Sequence, residues 1–104
     1  MFRTKSLLDF DFILSEEEKR LVENIKHRIY DFYYIKDLKE NTTIHQNIFY
    51  YLYLTKEYYS LEAIASFIFM ESKTIYRFKK STEDILFKLI KNENQYAALN
   101  KYLK

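Results

Sequence analysis

The chain has 104 residues, 48% hydrophobic and 31% charged, with a formal net charge of +2, which suits one small domain built on a single core. It contains no cysteine, glycine or proline. This excludes a disulfide framework and a thiolate metal site, and also a P-loop, a dinucleotide-binding turn and an EF-hand loop, all of which need a residue without a Cβ. Tight two-residue hairpins are disfavoured for the same reason, so the composition points to helices joined by short polar turns. The 19% aromatic content has a bland source beside any functional one, because Phe, Tyr, Ile, Lys and Asn all have A+T-rich codons.

Residues 1–14 lack a helical period. Leu8, Phe10 and Phe12 alternate with Asp9 and Asp11, which predicts an extended arm lying on the rest of the chain or on a partner. The two aspartates interrupt the apolar run, so no secretory signal is expected. Ser15 followed by Glu16, Glu17 and Glu18 has the pattern of a capping box, with three acids at the positive end of a helix dipole. Leu21, Val22, Ile25, Ile29, Phe32, Tyr33, Ile35 and Leu38 then recur as a wide apolar stripe, which predicts a long helix over about 16–39. Tyr30 and Tyr34 fall off that stripe.

Asn41, Thr42 and Thr43 mark a break that ends one helix and starts the next. A second helix is predicted over about 43–56, with Ile44, Ile48, Tyr51, Leu52 and Thr55 on one face. Its stretch 48–54 is the most apolar of the chain and is too short to cross a membrane, so the cytoplasm is the expected location. Ser60 caps a third helix over about 61–68, a turn follows near 69–71, and a fourth helix runs over about 72–91. Tyr96, Leu99 and Leu103 support a short final helix. The expected domain plan is a single unit: an arm (1–14), a helical platform (15–56), a helix-turn-helix (57–91) and a C-terminal helix or tail (92–104).

Charge is uneven along the chain. Residues 1–57 carry nine Lys/Arg against ten Asp/Glu, whereas residues 58–104 carry eight against five. Lys73, Arg77, Lys79, Lys80, Lys88 and Lys91 crowd the predicted fourth helix, opposed there by Glu83 and Asp84. A basic face on a near-neutral protein is a nucleic-acid footprint; it is also the ordinary solvated face of a helix.

Leu61 to Lys80 spans twenty residues, the length of a helix-turn-helix unit. Counting from Leu61, such a unit wants apolar residues at positions four, eight, ten, fifteen and eighteen, and a small one at five. Ile64, Ile68, Met70, Ile75, Phe78 and Ala65 stand there. Ser60, Ile64 and Ala65, followed by Thr74, Ile75, Tyr76, Arg77, Lys79 and Lys80 at fixed spacing, resemble the helix-turn-helix of bacterial sigma-factor region four and of the ArpU-type regulators of phages and mobile elements. The preceding aromatic stretch also resembles Mga-type virulence regulators. The likeness covers about residues 48–90. It departs from the pattern at position nine, where Phe69 replaces the usual glycine and implies a turn that avoids positive φ or is lengthened, and at Glu71, where Ser or Thr is the usual cap.

The resemblance implies an all-α bundle of four to five helices with a C-terminal helix-turn-helix. Residues 81–104 read helical and lack glycine, which predicts a wingless form. The implied function is sequence-specific binding of double-stranded DNA in transcriptional regulation, with the fourth helix in the major groove and no cofactor. Ser72, Lys73, Tyr76, Arg77 and Lys80 fall on one face of that helix. Arg77 suits guanine, Lys73 and Lys80 suit phosphate, and Tyr76 suits a thymine methyl or a phosphate. Tyr59 and Ser60, at the start of the third helix, suit backbone phosphate. A homodimer through the helix at 16–39, or RNA polymerase, is the expected partner. The rival readings are a helical interaction module in which the motif only packs, and a phage packaging-type protein. His27 and Asp31, four apart, read as surface residues rather than metal ligands. No nucleophile–base motif is recognisable, so no enzymatic activity is expected.

Overall fold

The structure, a computed structural model, describes residues 6–103. Among them the elements are helix α1 (Glu16–Glu40), α2 (Ile44–Phe49) continued by one π-helical turn (Tyr50–Leu54), α3 (Leu61–Phe67), α4 (Ser72–Asn92) and a C-terminal 3-10 helix (Asn94–Tyr102). No strand occurs among the described residues, so the fold is all-α and α4 is followed by helix rather than by a β-wing.

The start of α1 is fixed locally. The Ser15 hydroxyl accepts the Glu18 N–H at 3.2 Å, and the Glu18 carboxylate accepts the Ser15 N–H at 2.9 Å, closing the capping box. Glu18 is tied to the other end of the chain as well. Lys101 lies 2.7 Å from its carboxylate, and the Tyr102 hydroxyl donates to it at 2.7 Å. The Lys101 ammonium, the Ser15 N–H and the Tyr102 hydroxyl hold the Glu18 pKa down at about 2.

The core runs through all the helices. Leu8, Ile25, Ile29, Ile48, Phe49, Ile64, Ile75, Ile90, Tyr96 and Leu99 are fully or almost fully buried. Each large aliphatic or aromatic side chain so buried contributes about 1.5–3 kcal/mol from apolar burial. Tyr33 sits where α1, α2 and α4 meet: its ring lies 4.5 Å from that of Phe78 and 6.0 Å from that of Phe49. Its hydroxyl shares a buried 2.7 Å hydrogen bond with Thr82.

Asn41, in the left-handed region with φ 54, terminates α1, and the Thr42 N–H returns to the Asp37 carbonyl at 3.0 Å. The next helix is capped from a distance. Thr43 makes no side-chain cap; the Asp37 carboxylate, fully buried, accepts the N–H groups of His45 (3.3 Å) and Gln46 (2.9 Å). Burial raises the Asp37 pKa, but the bonds from Gln46 and His45 outweigh it and the net direction is down.

The last turn of α2 widens to i→i+5 bonding, with the Thr55 N–H on the Tyr50 carbonyl at 3.2 Å. The buried Lys26 ammonium donates to the Tyr53 carbonyl at 3.3 Å, which supplies a partner at a helix end that would otherwise leave a buried acceptor. At the C-terminus Tyr96, Leu99 and Tyr102 recur every three residues. That is the period of a 3-10 helix, so all three face the bundle; Tyr96 and Leu99 are fully buried.

Three expectations are corrected. The described part of the arm is turned rather than extended: Leu7, Leu8 and Asp9 are all buried while Phe10 is exposed. Asp9 tolerates burial because its carboxylate accepts the Ser6 N–H at 2.7 Å. The expectation for residues 1–5 lies outside the described residues. In α1 the predicted apolar stripe leaves the core towards its C-terminal end, and Phe32, Ile35 and Leu38 are 52%, 52% and 64% exposed. Phe32 borders the groove between α1 and α4 instead of entering the core, and α2 packs on the side of Tyr33 and Asp37. Finally, Lys79, counted with the basic face, points inward: it is buried and lies 3.9 Å from Glu83.

Candidate nucleic-acid interface

The α3–α4 unit is built from the positions the twenty-residue spacing singles out. Ile64, Ala65, Ile75 and Phe78 are buried, and Ile68 and Met70 are half-buried against the core. Ala65 sits under the turn, where its carbonyl accepts the Met70 N–H at 2.9 Å.

That bond and the longer one from Phe69 N–H to the Ser66 carbonyl (3.5 Å) form the paired closure of a helix whose following residue is left-handed. Phe69 is that residue, with φ 58. The expectation of a turn avoiding positive φ is therefore overturned. The hydrogen-bonded closure of α3 requires the left-handed conformation whatever side chain occupies it, and Phe69 carries a steric cost of about 1–2 kcal/mol. Its ring is 95% exposed, so no burial offsets that cost.

Ser60 caps α3, its hydroxyl oxygen accepting the Ala63 N–H at 3.0 Å. Tyr59 is half-buried in an aromatic cluster, 5.1 Å from the Phe67 ring and 6.0 Å from the Tyr51 ring. Glu71 stands at the start of α4 without capping it. Its carboxylate lies instead 3.6 Å from Lys73. The first turn of α4 therefore has no side-chain cap and keeps its positive dipole end open.

Lys73, Tyr76, Arg77 and Lys80 are exposed together on one face of α4, with Ser72 half-buried at its edge. The Lys80 ammonium lies over the Tyr76 ring at 5.8 Å. The exposed stripe continues through Asp84 to Lys88 and Lys91, the last over the Phe87 ring at 5.7 Å. Arg77 has a second setting. It stands on the wall of a groove of about 480 Å³ shared with Phe32, Lys36, Ile44, His45 and Met70. Lys36 and His45 were not singled out by sequence. Lys36 reaches the groove from α1 and His45 from α2, and no local pattern links either to α4. His45 is held by Asp37, 2.6 Å from its Nδ1, and stacks parallel to Tyr33 at 5.9 Å.

His27 and Asp31 are both exposed, and no group of three or more His, Cys, Asp or Glu among the described residues is placed to hold a metal ion. Among the described residues no helix is long and apolar enough to cross a membrane. Comparison with known protein families, with curated protein sequences and with solved structures finds no match to this chain.

Proposed function

We propose that this protein binds double-stranded DNA sequence-specifically, with α4 in the major groove, and acts in transcriptional regulation. The observation that carries the reading is the exposed face of Lys73, Tyr76, Arg77 and Lys80 on the second helix of a sharply turned helix pair, beside an uncapped helix start. Arg77 reads a guanine edge through paired N–H donors, worth about 1–3 kcal/mol of discrimination. Lys73 and Lys80 engage phosphates and set the register. Tyr76, held next to Lys80, meets a thymine methyl or a phosphate. Ser60 retains a hydroxyl proton for a phosphate oxygen, and Tyr59 stands beside it. The likeness to sigma-factor region four and ArpU-type regulators supports this docking mode and, with it, RNA polymerase as a protein partner.

The test is fluorescence anisotropy on random-sequence duplex DNA at several salt concentrations, with wild type and Arg77→Ala/Lys80→Ala in parallel. Binding should weaken steeply with salt, and the double variant should lose affinity while keeping its helical circular dichroism. Each phosphate contact removed lowers the log–log salt slope by about 0.9. A folded wild-type protein that fails to bind even at low salt refutes the reading.

A second reading is favoured by the groove at Arg77, whose apolar wall of Phe32, Ile44 and Met70 suits a protein ligand. In that reading the helix pair is an interaction module, and the double variant changes protein capture with no DNA affinity to lose.

A further inference from the structure

The groove of about 480 Å³ between α1, α2 and α4 has the size of a small-ligand site. Three of the rings that line it form one corner. Tyr33 lies 4.5 Å from Phe78, and His45 stands 5.9 Å from Tyr33 and 6.0 Å from Phe78. Tyr33 and Phe78 are buried and make the floor; exposed Phe32, edge-on to Tyr33 at 5.3 Å, makes a wall. The corner is fixed in advance. The Tyr33 hydroxyl is bonded to Thr82 at 2.7 Å, and His45 Nδ1 to the buried Asp37 carboxylate at 2.6 Å. That carboxylate also accepts the His45 and Gln46 N–H groups, so it acts as an acceptor throughout and Nδ1 is the donor. The ring cannot turn over without losing the bond.

The rim holds an excess of positive charge. Arg77, Asp84 and Lys88 line the groove from α4, and none of the three side chains makes an ion pair among the described residues. Lys36, across from them on α1, is already matched by Glu40 at 3.1 Å, and the Asp37 charge lies behind the His45 ring among its own donors. Two unmatched cations thus face one carboxylate. We propose that this groove binds an aromatic monocarboxylate, its ring system against Phe32, Tyr33, His45 and Phe78 and its carboxylate on the Arg77 guanidinium. A flat ring suits walls that are themselves rings, which prefer offset or edge-on contacts, and the Met70 thioether on the same groove favours an aromatic neighbour too. The planar fork of Arg77 matches a carboxylate through two parallel N–H donors, which the Lys88 ammonium cannot do. A dianion would exceed the excess charge of the rim and press on Asp84. A bound helix would need anchors recurring along the groove, whereas these rings converge at one corner, as a compact ring system requires.

The inference stands on the groove and does not rest on the DNA reading. Arg77 is the one residue the two share, so the test contains no DNA, and a groove that binds nothing leaves the DNA reading where it was.

Isothermal titration calorimetry on the full chain reads it, with three probes of one ring system: 2-naphthoate, the neutral 2-naphthylmethanol and the cationic 2-naphthylmethylamine. The wild-type chain should bind 2-naphthoate with a Kd between about 10 µM and 1 mM, the alcohol about tenfold more weakly and the amine more weakly still. Arg77→Gln should weaken 2-naphthoate about tenfold while changing the alcohol less than about twofold, because only the acid uses the guanidinium. Phe32→Ala, at a wall outside the core, should weaken acid and alcohol alike by about three- to tenfold. Lys91→Gln, which removes an exposed α4 cation away from the groove, should leave 2-naphthoate within about twofold of wild type. Circular dichroism confirms that each variant is folded. A folded wild-type chain that does not bind 2-naphthoate at several millimolar overturns the proposal. So does an alcohol or amine that binds as tightly as the acid, or an Arg77→Gln chain that binds the acid as well as wild type does.

Discussion

Replacing Phe69 by glycine should stabilise this protein, although it removes a large aromatic side chain. Phe69 holds φ 58 because the Met70 and Phe69 N–H groups both turn back to close α3. A residue with a Cβ spends about 1–2 kcal/mol in that region. Glycine spends nothing there but adds about 0.5–1 kcal/mol of backbone entropy to the unfolded chain. The ring is 95% exposed, so its removal forfeits almost no burial. The balance is a gain of about 0.5–1 kcal/mol, or roughly 2–8 °C in Tm for a domain of this size. Urea titration of wild type, Phe69→Gly and Phe69→Ala measures it. Alanine keeps the Cβ and the strain, so it should stay within about 0.5 kcal/mol of wild type. The reasoning fails if glycine destabilises. It fails equally if alanine gains as much as glycine, since the effect would then belong to the ring and not to the backbone.

Acid should weaken the Glu18 junction. Its folded pKa of about 2 lies below the ordinary 4.5, so its stabilisation is complete above pH 4.5 and is lost as pH falls towards 2; Glu18→Gln should flatten the stability–pH curve in that window, measured by circular dichroism. Asp37 and Glu93, also shifted downward, contribute in the same direction. Tyr33→Phe should cost about 1–2 kcal/mol in urea unfolding, because it leaves the buried Thr82 hydroxyl without its 2.7 Å partner; adding Thr82→Val should cost less than the two single losses summed. Asp37→Ala should cost about 0.5–2 kcal/mol as a lost cap, and hydrogen exchange should show the His45 and Gln46 amides losing protection.

Helix positions were legible where the signal is local. The Ser15–Glu18 box, the break at Asn41 and the Ser60 cap each depend on residues within three or four of one another, and each stands where the spacing puts it. The packing of α3 against α4 was legible for a related reason: a short turn leaves two helices few ways to meet, so six spaced residues define the contact. Tertiary reach was not legible. Asp37 caps α2 from the preceding helix, and nothing in Thr43 announces that its own hydroxyl leaves the task to a residue six positions back. The exposure of Phe32, Ile35 and Leu38 was hidden because periodicity reports which residues share a face, not whether a neighbour covers it. Lys79 misled for the complementary reason: its charge suggested solvent, while Glu83, itself receiving the Tyr53 hydroxyl at 3.3 Å, draws it inward.

Under the proposed DNA reading, one α4 offers a single arginine for base readout and two lysines for phosphates, fewer contacts than specific recognition ordinarily uses. The three side chains are then separable by what they change. Lys80→Ala should lower the log–log salt slope by about 0.9 and weaken binding to all duplexes alike, because a phosphate contact carries no sequence information. Arg77→Lys keeps the charge but loses the paired donors, so it should leave that slope nearly unchanged while costing about 1–3 kcal/mol of discrimination at one base pair. Arg77 also stands with Phe32 on one groove wall. If Arg77→Lys leaves sequence preference intact, the arginine serves that groove and its assignment to a guanine edge is wrong.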